Sequence, residues 1–114
     1  MNEDTMKMGI ARKAAAILEG AEWGSNEHEV ATFALWSALT GVQRDQLRQL
    51  LFTGPVWDGD VLSKSARGDL FPLGLAVRCC VKGEQGYTAA SYRAYTIWNA
   101  GNPKPTAFGV AAAT

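Results

Sequence analysis

Apolar residues recur at helical spacing through the first two thirds of the chain and then switch to alternation. Met6, Ile10, Ala14 and Ile17/Leu18 fall at i, i+4 and i+7/i+8, which predicts a helix over 5–19 with one apolar stripe. Asp4 or Thr5 is expected to cap its start and Gly20 to stop it. The alanine triplet Ala14–Ala16 favours helix and permits close approach of another helix. Asn26 followed by Glu29 has capping-box spacing and predicts a second helix over 26–40. Val30, Phe33, Ala34, Leu35, Trp36, Ala38 and Leu39 cover most of its circumference, so it is expected at the centre of the fold, ending at Gly41. A third helix, Val42–Thr53, puts Leu47, Leu50 and Leu51 on one face and Arg44, Asp45 and Arg48 outside. Gly54-Pro55 closes it.

Val56–Leu62 reads as a turn-rich connector, after which Ser63 caps a short helix, 64–73, burying Ala66, Leu70 and Leu73. Gly68 and Pro72 make it the weakest helix of the chain. Beyond Gly74 the period becomes two. Leu75, Val77, Cys79 and Val81 are expected inward, with Ala76, Arg78, Cys80 and Lys82 outward. Gly83–Gly86 reverses the chain, and Tyr87–Ala90 return as a second strand. Ser91 caps a last helix, Tyr92–Ala100, stopped by Gly101; continued strand over Tyr92–Trp98 is the alternative. The order gives an α+β fold dominated by helix. One domain occupies 1–101, followed by a Pro, Gly and Ala-rich tail over 102–114, with no internal repeat.

Composition agrees with one compact domain: 114 residues, 47% hydrophobic and 19% charged. No run of 18 apolar residues occurs, and the acidic start MNEDTMKMGI lacks a signal-peptide pattern. The adjacent Cys79 and Cys80 form no disulfide framework, so a reducing cytosol is the expected location. A formal charge of zero hides an asymmetry, because residues 1–42 carry a net of −3 and residues 43–114 a net of +3. Such a dipole orients a partner but is far from the basic balance of nucleic-acid binders.

Little in the chain points to catalysis. Asp58 and Asp60 form a D-x-D pair suited to Mg²⁺, but no second acidic cluster joins them, and Asp-Gly is a preferred turn pair. His28, the one histidine, excludes a multi-histidine metal site and is expected on the surface of a helix. Cys79 and Cys80 point to opposite faces of a strand, with Cys79 in the core, and have no C-x-x-C spacing. Glycines 83 and 86 join two strands and do not open a helix, so no phosphate loop exists. The reading is a non-enzymatic protein without a cofactor or metal.

From Leu47 to Trp98 the chain resembles a winged helix-turn-helix. The resemblance rests on Leu50-Leu51 with Gly54-Pro55, on Leu70-Phe71-Pro72-Leu73-Gly74-Leu75, on the hairpin 75–90, and on Tyr87 with Ser91. It implies a compressed motif, since only 22 residues separate Leu51 from Gly74, and the helix before the recognition helix is collapsed into Asp58–Leu62. By this resemblance Lys64 and Arg67 lie on the exposed face of the recognition-like helix, while Arg78, Lys82 and Glu84 belong to the wing. Trp57, Tyr87, Tyr92 and Arg93 complete a partner-binding set of the residue types that dominate interface hot spots. In style the chain is similar to small phage or mobile-element proteins, which implies a binder that blocks a host protein or ribonucleoprotein complex, as anti-CRISPR inhibitors do. The alternative is a dimeric winged-helix DNA-binding regulator, in which Lys64 and Arg67 approach the major groove and Lys82 meets phosphate. Most of Trp23, Trp36, Trp57 and Trp98 are expected in the core. A homodimer through the second and last helices favours the regulator, and a monomer with an exposed Trp57 or Tyr92 favours the inhibitor.

Overall fold

The structure, a computed structural model, describes residues 2–102, so the tail expected over 102–114 lies outside the described residues from 103 onward. The described residues form five helices and one small sheet: α1 (Glu3–Gly20), α2 (Asn26–Ala38), α3 (Gly41–Thr53), β1 (Val56–Trp57), α4 (Lys64–Leu70), β2 (Ala76–Val81), β3 (Glu84–Ala90) and α5 (Tyr92–Gly101). A single 3₁₀ turn, Asp58–Asp60, follows β1. The fold is α+β, helices first. No helix among the described residues is long and apolar enough to cross a membrane.

Helix starts follow the polar side chains that satisfy orphan N–H groups, one or two residues from where spacing alone puts them. Asn2, rather than Asp4 or Thr5, caps α1, its carboxamide oxygen accepting from the Thr5 N–H at 2.7 Å. Ser25 caps α2 by accepting from the His28 N–H, so Asn26 is the first helical residue and not the cap. Gly41 opens α3 instead of ending α2, because Thr40 and Gln43 form a reciprocal capping box. Ser63 and Ser91 cap α4 and α5 as their positions predict. The strand alternative for 92–98 is thereby replaced by helix.

The core is built from Leu35, Leu39, Leu47, Leu50, Leu70, Leu73, Leu75 and Ile97, all essentially inaccessible. Helix α1 presents Ala11, Ala14 and Ala15 to α2, with Met8 and Leu18 beside them, and turns Met6, Ile10 and Ile17 to solvent. The expected stripe is thus rotated: alanines allow the two helices to approach closely, and larger side chains would hold them apart. Helix α2 packs on both α1 and α5, yet Val30 and Phe33 remain exposed.

The connector from β1 to α4 is secured by two glutamines of α3. Gln46, fully buried, accepts from the Ser63 N–H at 2.7 Å and donates to Gln49. Gln49 in turn accepts from the Leu62 N–H and donates to the Asp60 carbonyl. These side chains satisfy backbone groups that an additional helix would otherwise pair internally. Helix α4 ends at Leu70, and turn residues carry Leu73 into the core.

The sheet order is β1-β3-β2, all antiparallel. The hairpin turn is the two-residue Lys82-Gly83, both with positive φ (51° and 82°), and not the four residues 83–86. Glu84 therefore already belongs to β3, opposite Val81. An extra residue then enters β3 as a bulge before Tyr87, which faces Cys79.

Candidate interaction surface

Strand register decides which of the nine predicted site residues share a face. Neighbours across the ladder put Val56, Thr88 and Arg78 in one row, and Trp57, Tyr87 and Cys79 in the next. Adjacent rows point to opposite faces of the sheet. Val56 and Thr88 are buried, so theirs is the inner row. Trp57, Tyr87 and Cys79 then look outward, joined by Val77 and Ala89. The alternation expected for β2 holds only in part: Leu75 is buried and Arg78, Cys80 and Lys82 are exposed as expected, but Ala76 and Val77 depart from it. Ala76 is buried while Val77 is 46% exposed, and Cys79 is half-buried rather than core. Arg78 occupies an inner-row position because an acidic partner meets it there.

That partner is Asp58. Its two carboxylate oxygens accept from Arg67 Nη1 at 2.7 Å and from Arg78 Nη1 at 2.8 Å, and the Thr88 hydroxyl lies 3.5 Å away. One carboxylate of the 3₁₀ turn thus joins α4, β2 and β3. The Arg67 side chain is only 13% exposed, which corrects the expectation that it lies free on the outer face of α4. The Arg78 guanidinium also stacks over Phe71, 5.2 Å from the ring centre. Asp58 and Asp60 act in a turn and an ion bridge, and no group of three or more metal-ligating side chains exists among the described residues.

Trp57 stands immediately before this bridge, 52% exposed. Its indole lies over Gly59 and Gly86: a Cβ at Gly59 would overlap the six-membered ring, and one at Gly86 would touch the five-membered ring. Two glycines from different elements therefore form the seat of a flat aromatic surface. Lys82 and Glu84 are exposed at the hairpin turn, and Lys64 is exposed at the start of α4.

The remaining two predicted residues, Tyr92 and Arg93, lie elsewhere. They begin α5, beyond the far end of β3, about 15 Å or more along the chain direction from Tyr87. Tyr92 is exposed beside Trp23, ring centres 5.6 Å apart. Arg93 is fixed by Glu19 at 2.8 Å and by the Leu73 carbonyl at 2.9 Å, tying α5 to the end of α1. His28 is buried under Trp23 and not on the surface as expected, with ring centres 4.5 Å apart. Of the four tryptophans only Trp36 is fully buried; Trp98 packs edge-on against it, and Trp23 and Trp57 are exposed.

A hollow of about 980 Å³ between α1, the start of α3 and α4 holds none of the nine residues. No family model, curated protein or solved structure matches the chain.

Proposed function

We propose that this protein is a non-enzymatic binding domain of the cytosol that docks the outer face of its sheet onto a protein partner. The observation that carries this reading is the outward apolar row, Val77, Cys79 and Tyr87 leading to Trp57, left exposed or half-buried on a three-stranded sheet. An apolar row bordered at the hairpin turn by Lys82 and Glu84 has the make-up of an interface centre with a polar rim. Exposure of Trp57 and Tyr92 is also the feature that separates an inhibitor from a regulator. The reading extends to a phage or mobile-element protein that blocks a host protein or ribonucleoprotein complex.

A winged-helix DNA-binding regulator is the second reading. It is favoured by the free Lys64 at the start of α4 and by Lys82 at the hairpin turn. It is weakened by the commitment of Arg67 and Arg78 to Asp58. Two free cations support a log–log salt slope of only about −1.8 on duplex DNA.

The deciding experiment pairs two measurements on wild type and Trp57→Ala. Fluorescence anisotropy with labelled duplex DNA at low salt should show no saturable binding. Capture from host lysate should retain a partner that Trp57→Ala loses. Salt-sensitive DNA binding with a slope of −3 or steeper, unaffected by Trp57→Ala, would replace the first reading by the second.

A further inference from the structure

A second surface lies on the seam between α2 and α5, independent of the sheet face. Two adjoining hollows of about 240 and 420 Å³ share Trp23, His28, Thr32 and Thr96. Tyr92 borders one hollow, and Phe33 and Glu29 border the other. Together they form a groove with aromatic walls and a polar floor.

The polar groups of that floor are biased toward accepting. The Thr32 hydroxyl donates its proton to the His28 carbonyl at 2.7 Å, and the Thr96 hydroxyl donates to the Tyr92 carbonyl at 3.2 Å. Both keep lone pairs for a ligand. Arg93 borders the groove, but its two terminal nitrogens are engaged by Glu19 and the Leu73 carbonyl. His28 is only 9% exposed, and among the described residues nothing hydrogen-bonds its ring, although its backbone N–H and C=O are both paired. His28, which lines both hollows, adds a polar residue to the floor of the groove. Glu29 adds a carboxylate without an ion-pair partner among the described residues, and Glu22 and Glu27 add to the negative field of this half of the molecule.

We infer that this groove binds an arginine side chain presented by a protein partner. A guanidinium is planar, carries five donors and accepts nothing, so it matches aromatic walls over an accepting floor. Stacking on Trp23 or Tyr92 uses the ring quadrupole, Glu29 supplies the counter-charge, and the Thr32 and Thr96 hydroxyl oxygens accept N–H groups. An ammonium group is more strongly hydrated and lacks the flat face, and an anion meets acceptors and glutamates.

The test uses the full chain, ¹⁵N-labelled, titrated with N-acetyl-arginine amide, N-acetyl-citrulline amide and N-acetyl-lysine amide. Citrulline keeps the planar shape and loses the charge. Arginine amide should shift the Trp23 indole signal and the Thr32 and Thr96 amides saturably, with citrulline about tenfold weaker and lysine weaker than arginine. Glu29→Gln, at an exposed position, should weaken arginine amide severalfold without changing the rest of the spectrum, and Trp23→Ala should weaken it severalfold with its own shifts confined to the residues it packs against, His28 and Tyr92 among them. Equal binding of citrulline, unaltered affinity in Glu29→Gln, or arginine-induced shifts confined to the sheet face would overturn the assignment. Resonances of Trp57 and Tyr87 report the sheet face separately, so failure of either surface is read without the other.

Discussion

Replacing Asp58 by alanine isolates what the two-armed ion bridge contributes. The Arg67 side chain is 13% exposed, and its Nε is already buried without a partner, so loss of Asp58 leaves a largely desolvated guanidinium unpaired. Removing one partner of a fully buried pair costs about 3–5 kcal/mol. Asp58 itself keeps 32% of its side-chain surface, which lowers the expectation to about 2–3 kcal/mol. The Arg78 arm, more than half exposed, adds less than about 1 kcal/mol. Urea unfolding followed by tryptophan fluorescence should therefore show a loss of about 2.5 kcal/mol, or a fall in Tm of about 10 °C for a chain of this length. The mechanism is tested by Arg67→Met, which alone should cost about 1 kcal/mol because Arg78 still neutralises Asp58. The double variant should be no worse than about 1.5 kcal/mol, a coupling of about 2 kcal/mol. Additive losses, or Asp58→Ala within about 0.5 kcal/mol of wild type, would refute the reasoning.

Three further outcomes follow from other contacts. Gly59→Ala should expel the Trp57 indole from its seat at a stability cost below about 1 kcal/mol, since the ring is half exposed, while abolishing capture of the protein partner; intact capture would show that the seat does not matter. Gln46→Leu should cost about 1–3 kcal/mol in urea unfolding, because the Ser63 N–H loses its acceptor inside the fold; a neutral result would remove the glutamines from the account of the shortened connector. Lys82→Asn should stabilise the hairpin by about 0.5 kcal/mol in thermal melts, since asparagine tolerates a positive φ better than lysine.

Helices were legible wherever a Ser, Thr or Asn preceded an apolar run, and their errors came from competition among neighbouring caps. Asn2 was available ahead of Asp4, Ser25 ahead of Asn26, and Thr40 ahead of Gly41. Period two located β2 but left its phase open, because Leu75-Ala76-Val77 is apolar throughout and either face satisfies the pattern. At Arg78 the orientation follows Asp58, a residue twenty positions away whose carboxylate engages its guanidinium while the side chain stays more than half exposed. The same contact removed Arg67 from the exposed set, an outcome no local spacing carries. A two-residue strand such as β1 leaves no period to detect, so Trp57 was placed on a connector although its importance was legible from its residue type. The burial of His28 was illegible for a related reason: the lid over it is Trp23, outside the helix that bears the histidine. Tyr92 and Arg93 joined the partner-binding set by residue type, whereas the chain turns at Ser91 into α5 and sets them beside Trp23 and Glu19.

Helix α1 is held to the rest of the protein mainly through alanines against α2 and through the Glu19–Arg93 pair at its last turn. Small side chains bury little area each, so this long helix depends mainly on its one extended seam with α2. Opening of α1 alone should precede global unfolding, and its amide hydrogens should exchange with solvent sooner than those of α3 and β3. Each such opening bares the face of α2 that packs on α1, and so exposes apolar surface that the closed molecule hides. Its solubility at high concentration is then governed by how rarely one alanine-lined hinge comes apart.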